Sequence, residues 1–71
     1  MRMVYDPESD HAYLHLTNGK ADNTFTFSEE EFRPLWGVNL DFDGEGHLIG
    51  IEFERASQML PRELLDEADP V

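Results

Sequence analysis

Seventy-one residues without a cysteine leave room for one small core and no disulfide to brace it. Sixteen acidic residues against five basic ones give a net charge of −11, which repels nucleic acid and anionic lipid and leaves basic proteins as the expected charged partners. No apolar run approaches the roughly 20 residues of a membrane span, and no signal-peptide core follows Met1-Arg2, so a soluble cytoplasmic protein with no membrane contact is expected.

Residues 1–5 alternate between two faces and read as a first strand, closed by the polar turn Tyr5-Asp6-Pro7-Glu8-Ser9-Asp10. Pro7 cannot donate to a ladder, so the strand ends before it. Ala12, Leu14 and Leu16 then share one face of a second strand. Asn18-Gly19 marks a turn, and Thr24-Phe25-Thr26-Phe27 a short third strand that completes a meander. Ser28-Glu29-Glu30-Glu31 has capping-box spacing, but Pro34 stops any helix soon after it. Residues 28–36 therefore read as a loop with one helical turn, anchored by Leu35 and Trp36.

The second hairpin bends at Asp41-Phe42-Asp43-Gly44-Glu45-Gly46. Val38, Leu40 and Phe42 share a face, and so do Ile49, Ile51 and Phe53. The expected register sets Phe42 opposite Ile49, Leu40 opposite Ile51 and Val38 opposite Phe53. Asn39, Asp41, Gly50, Glu52 and Glu54 then occupy the reverse face, and a slip of one residue would drive the carboxylates inward. After Arg55 the period changes: Leu60, Leu64, Leu65 and Ala68 recur at helical spacing, with Pro61 suited to a first turn. The expected fold is α+β: a small antiparallel sheet of four to five strands, built from two hairpins and packed by one C-terminal helix. Residues 1–68 form the domain and residues 69–71 a frayed tail. Its expected core is Leu14, Leu16, Val38, Leu40, Ile49, Ile51 and Phe53 beneath that helix.

On Tyr5-Asp6-Pro7-Glu8, Asp10 and Tyr13, and then on Asp41, Asp43, Gly46, Gly50-Ile51-Glu52 and Ala56-Ser57, the chain resembles the YuzE-like family of small prokaryotic proteins, a domain of unknown function. The resemblance runs over residues 1–60, and Phe32-Arg33-Pro34-Leu35-Trp36 departs from it as an insertion between strands would. It implies a small antiparallel α+β domain and supplies no activity or catalytic residue. In size the family resembles antitoxins.

Several constellations could carry chemistry. Asp41, Asp43, Glu45, Gly46 and Glu52 have the spacing of an EF-hand loop. The flanks, however, alternate with period two, so a hairpin without a calcium site is expected. His11, His15 and His47 show no ligand trio, because His11 and His15 stand about 13 Å apart along a strand. No serine has a nucleophile elbow. Asp41 and Glu52, near Tyr13 and His15, could form a carboxylate pair on the polar sheet face, but an open face desolvates neither strongly. Tyr13, His15, Asn39, Asp41 and Glu52 are the candidate functional surface, with no catalytic residue, cofactor or metal ligand assigned. The favoured function is a non-enzymatic protein-interaction module, an antitoxin-like binder of a small basic partner. The alternative is a small metal-dependent or acid–base enzyme using the polar sheet face. A homodimer is also expected, because Phe25, Phe27, Phe32 and Trp36 exceed what one short helix can cover.

Overall fold

The two alternating patterns at the head of the chain pair as a hairpin in the computed structural model, which describes residues 1–71. Strand β1 (Arg2–Asp6) runs antiparallel to β2 (His11–His15), with Val4 opposite Tyr13 and Asp6 opposite His11. Between them Asp6 folds the turn onto itself: its carboxylate accepts from the Glu8 N–H and the Ser9 hydroxyl, both at 3.0 Å.

The expected meander does not form. Strand β3 (Asn23–Thr26) leaves the first hairpin and pairs instead with β4 (Val38–Phe42), because the free edge of β2 is taken by β5 (Leu48–Phe53). Residues 17–22 cross the end of the sheet to make this possible. The Ile49 carbonyl accepts from the N–H groups of Leu16 (3.0 Å) and Thr17 (3.4 Å), and the Phe42 carbonyl from that of Asp22 (2.8 Å). The ensuing loop carries the expected capping box, with Ser28 N–H donating to Glu31 Oε1 (3.3 Å) and Glu31 N–H to Ser28 Oγ (3.2 Å). A single 3-10 turn follows at Arg33–Leu35, with Pro34 inside it.

The second hairpin keeps most of its expected register. Val38 faces Phe53 and Leu40 faces Ile51, but Phe42 faces Leu48 rather than Ile49. The turn closes tightly, Asp43 N–H donating to the His47 carbonyl at 2.9 Å with Gly46 at φ +87°. One extra residue, Ile49, is then left over in β5 as a bulge.

Two further expectations are corrected. The C-terminal helix is two short ones, α1 (Ala56–Met59) and α2 (Arg62–Glu67). Pro61 disfavours helical backbone at the residue before it, and Leu60 is extended at φ −112°, ψ 145°. Past α2, β6 (Asp69–Pro70) pairs parallel to β1, opposite Val4 and Tyr5. The sheet therefore has six strands, in the order β3-β4-β5-β2-β1-β6, and is mixed rather than antiparallel throughout. No helix is long and apolar enough to cross a membrane.

The core is smaller than expected and lies to one side. Ala12, Ala56 and Leu65 form its centre, with Met3, Tyr5, Phe53 and Leu60 packed against them. Val38 and Ile49 are buried outside that cluster. Leu14, Leu16, Leu40, Ile51 and Phe53 are only half-buried, because the helices are too short to reach across β5 and β4. The molecule is a slab of 33 × 31 × 17 Å.

Candidate functional site

Alternation sends every second side chain of the four central and outer strands to the face opposite the helices. Registers then bring them into rows: Tyr13, Glu52 and Asn39 across β2, β5 and β4, and His15, Gly50, Asp41 and Thr24 across β2, β5, β4 and β3. All five candidate residues, Tyr13, His15, Asn39, Asp41 and Glu52, thus stand on one face.

They divide into two groups. In the first, the Tyr13 ring crosses diagonally over Gly50 so that its hydroxyl donates to Asp41 Oδ2 at 2.5 Å. Thr24 Oγ1 donates to the other oxygen, Asp41 Oδ1, at 2.6 Å. The His15 ring lies beside Tyr13, with centroids 4.6 Å apart and planes tilted by 55°. Burial, the bond to Asp41 and the negative charges of Asp41 and Glu52 together push the Tyr13 hydroxyl up to about 12. Tyr13 is therefore a fixed donor at physiological pH and is unsuited to act as a base.

Asn39 organises the second group. It is 8 % exposed, and its Nδ2 donates to Glu52 Oε1 (2.7 Å) and to Glu54 Oε2 (2.9 Å). Two carboxylates so share one amide nitrogen, while Asn39 Oδ1 is buried and accepts no hydrogen bond from the protein. Asp41 and Glu52, diagonal neighbours on this face, answer to different donors: Tyr13 and Thr24 for Asp41, Asn39 for Glu52. Glu54 and Thr24 complete the surface but were absent from the candidate set. Alternation along β5 is signal enough for Glu54. Thr24 reaches Asp41 only because β3 pairs with β4.

Two other clusters use motif residues structurally. Asp10 adopts a left-handed φ of 60° and caps α1 from 47 positions away. Its carboxylate accepts from the Tyr5 hydroxyl (2.8 Å), the Ser57 N–H (3.0 Å) and the Ser57 hydroxyl (2.9 Å), and its carbonyl accepts from the Ala56 N–H (2.9 Å). The Tyr5 bond, followed by those from Ser57, holds the Asp10 carboxyl below the usual aspartate range, and the same contact raises Tyr5.

In the second hairpin, Asp43 Oδ1 accepts from the N–H groups of Glu45 and His47, both at 2.9 Å, which lowers its carboxyl as well. The structure does gather one trio containing a histidine: ligand atoms of Asp43, Glu45 and His47 lie within 4.8 Å of one another. That differs from the sequence reading, and the cause is the tight turn at Gly46. Asp41 and Glu52, the first and last positions of the EF-hand spacing, point from the sheet face and take no part in that turn.

The family model described as a protein of unknown function, DUF2283, matches residues 2–57, and the chain belongs to that family. The match spans five of the six strands and ends on Ser57, the residue that Asp10 holds. Neither a curated protein nor a solved structure matches the chain.

Proposed function

We propose that this DUF2283 domain, whose motifs resemble those of the YuzE-like proteins, is a non-enzymatic interaction module. It binds a small basic protein through the polar sheet face, as an antitoxin masks its target. The observation that carries this reading is the convergence of Glu52 and Glu54 on Asn39 without a cation of the chain beside them. The ion pairs all lie elsewhere: Arg33 with Glu29, Arg62 with Asp66, and His47 with Asp43 and Glu45. Arg55 is spent on the Trp36 carbonyl and ring.

Two carboxylates held at a fixed separation repel each other, and a guanidinium or ammonium group relieves that repulsion with charge-assisted hydrogen bonds. Asn39 holds both acids in place beforehand, so little side-chain freedom is lost on binding. A shallow hollow of about 230 Å³ beside Tyr13, His11 and Glu52 has room for the stem of a long basic side chain. The overall charge of −11 speeds encounter with a basic partner and disfavours nucleic acid.

The test is affinity capture from the native cell with the wild type, with Glu52→Gln/Glu54→Gln, and with Glu29→Gln/Glu30→Gln as a charge-matched control. A small basic protein should be retained by the wild type and the control, lost with the first pair, and released by raised salt. Equal retention by all three, or a gel shift of DNA or RNA at physiological salt, would refute the reading.

A further inference from the structure

The face opposite the acids is apolar along its whole width. Met3, Leu14, Ile51, Leu40 and Phe25 stand in a single row across five strands, each directly opposite the next. Within that row only the Met3 end is covered, since α1 and α2 pack on Met3, Tyr5, Ala12 and Phe53, while beside the row Val38, opposite Phe53, is buried as well. Leu14, Ile51 and Leu40 occupy interior strands yet are only half-buried, and Phe25 is 47 % exposed. Phe27, half-buried, sets its ring edge-on to Phe25 at 5.0 Å. What exposes them is a missing layer over β5, β4 and β3. No large side chain anywhere in the chain is fully buried.

We infer that the missing layer is a second copy of this chain, packed face to face on the row Leu14, Ile51, Leu40 and Phe25. The inference is independent of the polar-face reading, because it concerns the opposite side of the sheet.

Three considerations favour a second copy over another occupant. The first is size. From β2 to β3 the open patch spans three strand spacings, about 14 Å, and about 13 Å along the strands. That footprint, about 180 Å² per copy, is matched by the same patch on a second copy and lies at the small end of interfaces, which suits a weak, concentration-dependent dimer.

The second is charge. The patch carries no ionised side chain, and every carboxylate of the sheet's interior strands lies on the other face. Face-to-face packing puts both acidic faces outermost, separated by two sheets about 10 Å apart, which exceeds the roughly 8 Å screening length at physiological salt. A chain of −11 can therefore associate with itself here despite its charge.

The third is shape. The helices stand above one end of the face and leave the other end bare. A two-fold operator lays each copy's bare end on the other's, with the helices of each flanking the partner's edge. Such a dimer displays two acidic faces pointing in opposite directions.

Light scattering and sedimentation on the full chain at about 100 μM should give twice the 8.2 kDa chain mass, since association depends on concentration. Phe25→Glu, at an exposed position on an edge strand, should halve that mass while the far-ultraviolet circular dichroism is unchanged. Leu40→Glu should do the same where it folds, and Phe25→Glu decides the matter where it does not. Glu52→Gln, on the opposite face, should leave the dimer intact. A monomeric wild type would overturn the inference. So would a dimer that survives Phe25→Glu, which would place the contact at a sheet edge instead.

Discussion

The Tyr13 ring lies over the α-carbon of Gly50, and a Cβ built there would overlap the hydroxyl and come within 2.7 Å of Cε1. Glycine at this position is thus a condition for the bond from Tyr13 to Asp41. Gly50→Ala should expel the ring, strand Asp41 with one donor fewer and cost about 2 kcal/mol. In a Tyr13→Ala background the same substitution should cost far less, and a double-mutant cycle by urea denaturation measures the difference. Independent, additive effects would show that the overlap is relieved elsewhere.

Raised tyrosine ionisation has a consequence at alkaline pH. A group whose folded pKa lies above its unfolded value contributes its full stability below the unfolded pKa, and loses it as pH rises through the folded one. For Tyr13 that window runs from the ordinary tyrosine value of 10.0 to about 12. Ultraviolet titration should therefore show Tyr13 ionising only near that upper limit, with Asp41→Asn moving it down. Ionisation of Tyr13 near pH 10 in the folded wild type would contradict the geometry.

Asp10 acts at the other end of the scale. Its carboxyl is held low by Tyr5 and Ser57, so its contribution is complete above the usual aspartate pKa and lost as pH falls through the depressed value. Asp10→Asn should tolerate the left-handed backbone but flatten the acid limb of the stability profile. Asp10→Ala, which removes the cap of α1, should lower Tm by about 5 °C. Thermal melts between acid and neutral pH check both.

Calcium should not bind tightly, since Asp41 and Glu52 are engaged on the sheet face and Asp43 holds its own turn together. Isothermal titration is the measurement. A one-to-one micromolar site that disappears in Glu52→Gln would reverse this.

The core's position can be weighed directly. Leu65, on the inward side of α2, is 7 % exposed and packs on Ala12 and Ala56, so Leu65→Ala should cost about 2–4 kcal/mol. Leu40→Ala removes a half-buried side chain and should cost about 1 kcal/mol in a monomer, more where a second copy covers it. Urea midpoints at low and high protein concentration separate the two contributions.

Much of the local order was legible in the residues. Alternation placed Leu40 against Ile51 and Val38 against Phe53, and put Asn39, Asp41 and Glu52 on one face, because a one-residue slip would bury carboxylates. Ser28 and Glu31 announced their reciprocal cap. The helical period after Arg55 was legible too, but as one helix: Pro61 was read as its start, whereas its effect on Leu60 ends α1 before α2 begins.

Long-range relations were not legible in that way. Period two says that β3 is a strand but not whose edge it joins. That was decided when β5 occupied the free side of β2 and left β4 as the open edge. Asp10 reaches Ser57, and Tyr13 reaches Asp41, only once that strand order exists. Asp69 and Pro70 pair with β1 because the chain emerging from α2 passes its open edge. Sequence by itself determined the first five strands, their faces and the acidic character of one side, since these depend on neighbours within a few residues. Only the tertiary structure decided the strand order, the paired groups of the polar face and the bare half of the apolar one, because each follows from which edges and surfaces other segments had already taken.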